Sequence, residues 1–217
     1  MEITWYGHSC FRLAERGMAT VVVDPFDNKS IGYFTLRLKA DIVAISHEAP
    51  GHNNTDAVKG AAHVIRGPGE YEIGGVFITG VQTESTGSSK KGQEPLRNTL
   101  YVFDYEGLTV AHLGDLSQVP TQAEIEALGT VNVALVPVGA GGALNAAKAA
   151  EVVSLLEPNI VIPMHYSTAD VKLSLDPLSK FLKEMGVGKQ ETQASLKVTT
   201  SSLPEETRVI VLDYQRE

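Results

Sequence analysis

Cysteine is nearly absent from this chain, since Cys10 is the only one among its 217 residues. A single cysteine excludes an intrachain disulfide and a zinc site rich in thiolate ligands. It is also consistent with a reducing compartment, where thiols stay free, so we expect a cytoplasmic protein. Residues 1–5 show no basic segment followed by an apolar one, and the sequence therefore predicts no signal peptide.

Long apolar runs and basic clusters are missing as well. No apolar run approaches the roughly 18 residues that a membrane-spanning helix needs, so we expect no membrane partner. The net charge is −8, and the densest basic stretch, residues 87–92, holds only two lysines. Nucleic-acid binding depends on lysine and arginine side chains that neutralise phosphates, so we also expect no nucleic-acid partner.

The chain does contain many short segments with strand or helix patterns. Apolar and β-branched stretches in the first half predict strands at residues 2–6, 10–14, 20–23, 41–46, 63–66, 76–82, 98–105 and 109–113. After Pro120, predicted helices at 121–128, 143–156 and 177–185 alternate with predicted strands at 131–138, 159–164 and 207–214. Between these elements, residues 53–56 predict a helix start, residues 67–72 a tight turn and residues 84–97 a polar loop.

This order of elements predicts an α/β protein in which two sheets pack face to face with helices outside. The expected fold is a four-layer α/β/β/α sandwich. No internal repeat or long linker divides the chain, so residues 1–217 are predicted to form a single domain, long enough for a substantial core.

Polar side chains follow several of the predicted strands. His47 and His52 come after the strand at 41–46, Asp115 follows the strand at 109–113, and His165 follows the strand at 159–164. Strand ends are where α/β proteins gather residues that are distant in sequence. Imidazoles and a carboxylate brought together in this way are typical metal ligands.

Seven segments spread over nearly the whole chain carry a family resemblance. In chain order they are Trp5-Tyr6-Gly7-His8-Ser9, Val23-Asp24-Pro25, Ser46-His47 through His52-Asn53, Gly67-Pro68-Gly69-Glu70-Tyr71-Glu72-Ile73, Arg97-Asn98-Thr99-Leu100-Tyr101, His112-Leu113-Gly114-Asp115-Leu116 and Pro163-Met164-His165-Tyr166. With these segments the chain resembles the metallo-β-lactamase superfamily, and in particular its small prokaryotic branch of predicted zinc-dependent hydrolases. The resemblance implies the four-layer fold, a metal centre and hydrolysis of a small-molecule substrate.

The resemblance also implies a two-metal site, which this chain matches only in part. His47 and His52 correspond to the outer histidines of the family's H-x-H-x-D-H motif, and Asp115 and His165 correspond to its bridging aspartate and late histidine. Ala49 and Gly51 stand where the motif has a histidine and an aspartate. Ser85 or a neighbour stands where we align the family's mid-chain histidine.

Counting the matched ligands favours one metal position at most. The first position keeps only His47 and a share of Asp115, whereas the second keeps His52, Asp115 and His165. Three protein ligands with an open fourth position are typical of catalytic zinc, with manganese or nickel as alternatives. Glu48 and Glu84 lie next to the lost ligands, but neighbours in an extended segment point to opposite faces, which disfavours them as replacements.

Two functions follow as the main hypotheses, and a third is metal-free acid–base chemistry by His8, His52 and Asp115. In the first, the protein is a hydrolase in which the metal activates water and Asp115 orients it, with His8 and Tyr166 as candidates for substrate contact or proton transfer. In the second, it is a catalytically inactive binding or scaffold protein that has lost its metal centre. We interpret His112 as a core histidine or a partner of a ligand. For Asp24 we favour a strand-end cap, with a partner of a ligand as the alternative. Oligomeric state stays open.

Overall fold

Two large β-sheets form the framework of the protein in a computed structural model that describes residues 1–84, 97–188 and 190–216. The strands are β1 (Glu2–Gly7), β2 (Cys10–Ala14), β3 (Val21–Val23), β4 (Leu38–Lys39), β5 (Ile42–Ile45), β6 (Val58–Lys59), β7 (His63–Arg66), β8 (Gly69–Ile73), β9 (Val76–Glu84), β10 (Arg97–Tyr105), β11 (Leu108–His112), β12 (Val133–Pro137), β13 (Ile160–Met164), β14 (Thr192–Gln193), β15 (Leu196–Lys197), β16 (Arg208–Val209) and β17 (Val211–Leu212). Ser85 and most of the predicted polar loop lie outside the described residues.

The first sheet has the strand order β15-β1-β2-β3-β5-β7, and the second has the order β16-β13-β12-β11-β10-β9-β8. Strands β3, β5 and β7 run parallel to one another, as do β11, β12 and β13. Every residue of β12 and β13 is buried, as expected for parallel strands covered on both faces. The ends of parallel strands share one edge of a sheet, so residues that follow β3 and β5, or β11 and β13, are brought close together.

The main core lies between the two sheets, and a smaller core covers the other face of the first sheet. Val21 and Val23 of β3 belong to the main core, whereas Val22 between them belongs to the smaller one. This alternation follows from the period of two in a strand, which points successive side chains to opposite faces. Both faces of the first sheet are therefore buried.

Four α-helices lie among the described residues: α1 (Asn28–Ile31), α2 (Gln122–Leu128), α3 (Ala146–Leu156) and α4 (Leu178–Glu184). Helix α3 packs against β12 and α4 with a buried face that repeats every three or four residues: Ala146, Ala149, Val152, Val153 and Leu156. Helix α2 begins at a capping box in which the Thr121 side chain accepts from the Glu124 amide. The described part of the chain contains no helix long and apolar enough to cross a membrane.

The predicted α/β/β/α sandwich is confirmed, although its outer layer over the first sheet is thin. Helix α1 is a single turn, capped by the Asp27 side chain. The prediction that a helix starts at residues 53–56 is wrong, because only a 3₁₀ turn forms at Thr55–Ala57. Asn54 makes no side-chain cap there, and the chain extends at once into β6, which pairs with β4.

Two other predicted elements differ from the structure. Residues 67–72, expected as a tight turn, lie mostly in β8, which pairs with β9 through the turn at Gly74 and Gly75. Strand β8 is a largely exposed edge strand, so it lacks the apolar pattern of a buried one. The final strand predicted at 207–214 divides into β16 and β17, which pair with β13 and β14 respectively.

Candidate metal centre

Four histidines and one aspartate converge where β5, β11 and β13 end. His8 lies in the turn between β1 and β2, His47 and His52 follow β5, Asp115 follows β11, and His165 follows β13. They form two groups in which the potential ligand atoms all lie within 4.8 Å of one another. One group is His8, His52 and His165, and the other is His47, His52 and Asp115.

Asp115 links the two groups. Its Oδ1 atom lies 3.2 Å from His165 Nε2, and its Oδ2 atom lies 3.8 Å from His47 Nε2. His47 and His52 are also adjacent, with ring centroids 4.0 Å apart. The structure thus gathers all four residues that the sequence proposed as ligands. It also adds His8 to them, which the sequence suggested only for substrate contact or proton transfer.

Asp24 orients His52 through the ring nitrogen Nδ1, on the opposite side of the imidazole from Nε2. Its carboxylate is completely buried, lies 2.8 Å from His52 Nδ1, and accepts hydrogen bonds from the amide and the hydroxyl of Ser46 at 2.8 and 2.6 Å. His52 Nε2 is therefore the nitrogen left for a ligand. A carboxylate that orients a histidine in this way is the usual support of a metal-binding imidazole. The sequence favoured a cap for Asp24, whereas the structure makes it the partner of His52.

The charges within the cluster follow from burial and from this pair. Burial alone would raise the pKa of Asp24, but the charge and hydrogen bond of His52, with His112 and Ser46, lower that pKa to about 2. Burial alone would lower the pKa of His52, but Asp24 outweighs burial and raises it. Burial and neighbouring imidazoles lower the pKa of His47 to about 4.

His8 and His165 are held in the neutral form. Burial is the largest cause that lowers the pKa of each, followed for His8 by the charges of His165, His52 and His47. For His165, the nearby Asp115 opposes this lowering without reversing it. Neutral imidazole is the form that binds metal, so these two side chains need lose no proton at neutral pH.

Asn98 fixes the turn that carries Asp115. Its Oδ1 atom accepts from the Asp115 amide at 2.9 Å, and its Nδ2 atom donates to the Leu113 carbonyl at 3.2 Å. Gly114 has φ +56°, and a Cβ atom there would lie 2.3 Å from Asn98 Oδ1. The close approach thus requires glycine. Sequence reasoning placed Asn98 within a family segment but gave it no role, because its partners are distant in sequence.

Left-handed backbone conformations concentrate at this cluster. His8, Asp24 and His165 have φ values of 50°, 48° and 53°. Non-glycine residues held in such conformations cost about 1–3 kcal/mol each and are frequent at functional sites. Hydrogen bonds help to hold this backbone, because the His8 carbonyl accepts from the His165 amide at 3.1 Å and from Trp5 Nε1 at 3.0 Å.

His112 is a core histidine behind the centre, as interpreted from the sequence. It is fully buried, and its Nδ1 atom accepts from the Gly114 amide at 3.1 Å. Its Nε2 atom lies 2.8 Å from the Ser9 carbonyl, to which it donates. Both ring nitrogens are therefore used by the protein itself.

The other candidate residues lie in different surroundings. Tyr166 is buried in the main core, where its ring packs against Trp5 at 5.3 Å and burial raises its pKa. The Glu48 side chain is 62% exposed and pairs with Arg66, so its carboxylate is already engaged at the surface. The side chain of Glu84 lies outside what the structure describes. A cleft of about 450 Å³ opens beside His47 and is also lined by Arg66 and Arg97.

The donor atoms of the cluster fit a metal ion. Within the described residues, two of its buried nitrogens, His8 Nδ1 and His165 Nδ1, have no hydrogen-bond partner, and Asp115 Oδ1 has only its ion-pair contact with His165 Nε2. A buried polar atom without a partner costs about 1–3 kcal/mol, so such a set is unfavourable unless a ligand satisfies it. Imidazole suits zinc and nickel, and carboxylate oxygen suits manganese.

The fold is a sandwich of two sheets with outer helices, and a cluster of histidines and one aspartate lies at its strand ends. Comparison with known proteins shows which class of protein has this combination. Residues 2–165 match the family model described as the beta-lactamase superfamily domain. This chain therefore belongs to the metallo-β-lactamase superfamily, as the sequence motifs indicated.

Relatives of similar length support this membership. A UPF0173 protein of Pyrococcus furiosus is 31% identical over 212 residues, covering 85% of this chain and 90% of the relative. A UPF0173 metal-dependent hydrolase of Thermoplasma acidophilum is 30% identical over 200 residues, covering 82% and 88%. A superfamily crystal structure from Thermotoga maritima shares 38% identity with a TM-score of 0.77, covering 97% of each chain.

Proposed function

We propose that this protein is a metal-dependent hydrolase that binds a single ion through His52, Asp115 and His165. The observation that carries the proposal is the position of Asp115, which lies 3.2 Å from His165 and in one ligand group with His47 and His52, while Asp24 orients His52. The Thermoplasma acidophilum relative is named a metal-dependent hydrolase, and the Thermotoga maritima protein is described as a candidate Zn-dependent hydrolase. Zinc is the first choice of metal, with manganese or nickel as alternatives.

The metal ion, Asp115 and His47 have different roles in the proposed hydrolysis. When bound, the metal ion would supply an activated water and polarise the substrate oxygen. Asp115 is the group that orients this water, because its side chain is 25% exposed and its two oxygens face His47 and His165. His47 has a pKa of about 4 and is neutral at pH 7, so it is able to accept a hydrogen bond from the water or substrate.

The cleft beside His47 is the place we propose for the substrate. Arg66 and Arg97 line it, and their positive charges favour a substrate with an anionic group. Arg66 is already paired with Glu48, so Arg97 is the stronger candidate for this contact. A small-molecule substrate fits a cleft of about 450 Å³.

Metal content and hydrolysis together test the proposal. The protein is stripped with a chelator, reloaded with zinc, manganese or nickel, and assayed on thioester, phosphodiester, lactone and lactam substrates. We expect one ion per chain and a hydrolytic activity that the chelator abolishes. His52→Ala should lose both, whereas His63→Ala, an exposed histidine at the start of β7, should lose neither. Failure to bind metal or to hydrolyse any substrate would contradict the proposal.

The alternative is a catalytically inactive binding or scaffold protein on the same fold. Its supporting observation is the loss of three family ligands, at Ala49, Gly51 and Ser85. A chain that binds no metal and gains hydrolysis only after these ligands are restored would support this alternative. Robust hydrolysis by the unaltered protein excludes it. A cytoplasmic location and the absence of nucleic-acid and membrane partners stay predictions.

A further inference from the structure

His8 occupies the space that the side chain missing at position 51 would fill. A Cβ atom added to Gly51 would lie 2.9 Å from His8 Nε2 and 3.2 Å from His8 Cδ2. The φ angle of Gly51 lies outside the left-handed region, so the backbone there does not require glycine. Gly51 therefore leaves room for the imidazole of His8 and for Ile31 Cδ1, which would lie 3.1 Å from the added atom.

The imidazole of His8 is placed among the candidate ligands. Its ring centroid lies 4.3 Å from that of His165 and 5.0 Å from that of His52. The three side chains offer ligand nitrogens within 4.8 Å of one another. His8 is only 2% exposed, so solvent hardly reaches the nitrogens that point into this group.

A purely structural histidine would look different, and His112 provides the comparison within the same molecule. Both ring nitrogens of His112 are hydrogen-bonded to backbone groups, at Ser9 and Gly114. His8 Nδ1 is buried, yet it has no hydrogen-bond partner among the described residues. Buried polar nitrogens are rarely left in this state, so His8 is equipped for a partner outside the polypeptide.

The backbone of His8 is also fixed by its neighbour in the cluster. Its carbonyl accepts from the His165 amide, and this bond ties the turn after β1 to the end of β13. His8 and His165 both adopt left-handed conformations, which the hydrogen bond holds together. The two imidazoles are thereby preorganised side by side, as a metal site requires.

We propose that His8 is a metal ligand that replaces the aspartate missing at position 51, so that His8, His52 and His165 hold the ion with Asp115 beside them. This inference rests on the proposed function, since it requires that the protein binds a metal. It changes the ligand set, because it places His8 at the ion and leaves Asp115 to orient the water. Three histidines with one open position form a known type of catalytic zinc site. Exchange of a carboxylate for an imidazole should also favour zinc or nickel over manganese.

The test is a compensation experiment on zinc binding. His8→Gly removes the imidazole and suits the left-handed backbone, whereas His8→Asn removes it with less loss of volume. Gly51→Asp alone should perturb the site, because the new side chain meets the ring of His8. The double variant with His8→Gly and Gly51→Asp restores the motif aspartate and removes its contact with the ring of His8, so that only Ile31 Cδ1 has to shift slightly. His63→Asn is the matched control.

Two readouts that do not depend on activity separate the outcomes. Zinc affinity is measured by competition with a chromophoric chelator, and the number of imidazole ligands is measured by X-ray absorption on the zinc-loaded protein. We expect three imidazole ligands in the unaltered chain and two in each His8 variant. The zinc affinity of the His8 variants should fall at least tenfold, because loss of a group that only supports a ligand already lowers metal affinity by about 10–100-fold. The double variant should regain affinity with two imidazoles and a weaker preference for zinc over manganese.

Three results would overturn the inference. If the unaltered protein and both His8 variants bind zinc with equal affinity and equal imidazole count, His8 is not a ligand, although the proposed function stands. If Gly51→Asp fails to rescue His8→Gly in a protein shown by circular dichroism to be folded, position 51 is not what His8 replaces. If the unaltered protein binds no metal, the proposed function fails together with this inference.

Discussion

Replacing Asp24 by asparagine tests how the charged pair with His52 supports the centre. The carboxylate is completely buried and bonds to Ser46 and His52, so the amide keeps its shape but loses its charge. Removing one charge of a buried pair costs about 3–5 kcal/mol. Because the amide keeps part of the hydrogen bonding, we expect about 3 kcal/mol, a large part of a typical stability of about 5–15 kcal/mol.

The size of this effect in the metal-free protein should depend on pH. Asp24 has a pKa of about 2, below its ordinary value of 3.8, so it adds stability above about pH 4 that is lost as the pH falls towards 2. The pKa of His52 is raised above its ordinary value of 6.5, so it adds stability at lower pH that is lost as the pH rises through the folded value. The loss caused by Asp24→Asn should therefore be largest between about pH 4 and pH 6.5.

Urea unfolding of the metal-free protein, followed by circular dichroism near pH 5.5 and pH 8, measures this loss. Asp56→Asn, an exposed carboxylate for which we expect no change, is the matched control. Zinc affinity of Asp24→Asn should fall by about 10–100-fold as well, since the orientation of His52 is lost. The reasoning is refuted if Asp24→Asn unfolds at the same urea concentration as the unaltered chain, or if its loss is equal at both pH values.

Three further predictions concern Asp115, the metal and the cleft. Asn98→Ala should lower the free energy of unfolding by about 1–3 kcal/mol, because it leaves the Asp115 amide without its acceptor. It should also weaken zinc binding. Urea unfolding measures the first effect, and competition with a chelator measures the second. Zinc at one hundred times its dissociation constant should stabilise the chain by about 2.7 kcal/mol, which thermal unfolding with and without a chelator measures. Arg97→Gln should raise KM for anionic substrates and leave KM for neutral ones unchanged, and equal changes for both would contradict the role of Arg97.

Regular elements were predictable where the sequence pattern and the packing agree. Strands β12 and β13 are continuous apolar runs buried on both faces, and α3 buries a face with helical spacing. The helix predicted to start at 53–56 does not form, because the pairing of β6 with β4 decides the conformation there. The helix-start residues give no information about that pairing. Local propensity loses to tertiary pairing in such short segments.

The site was predictable only for residues that follow strands in the sequence. His47, His52, Asp115 and His165 stood out because each lies just after an apolar run. The sequence left Asp24 between a cap and a partner of a ligand, because its contact with His52 arises only from the pairing of β3 with β5 in the sheet.

The relation between His8 and Gly51 was also beyond sequence reasoning. It depends on the packing of a turn after β1 against the segment after β5, which share no pattern in the sequence. The loss of a motif residue was visible, but the side chain that fills its space was not.

Zinc content after loading and exhaustive dialysis tests the central claim most directly. The protein should retain one zinc ion per chain, with His52→Ala reduced to background and His63→Ala unchanged. Retention of two ions, of none, or of one ion that survives His52→Ala would contradict a single metal site at this cluster.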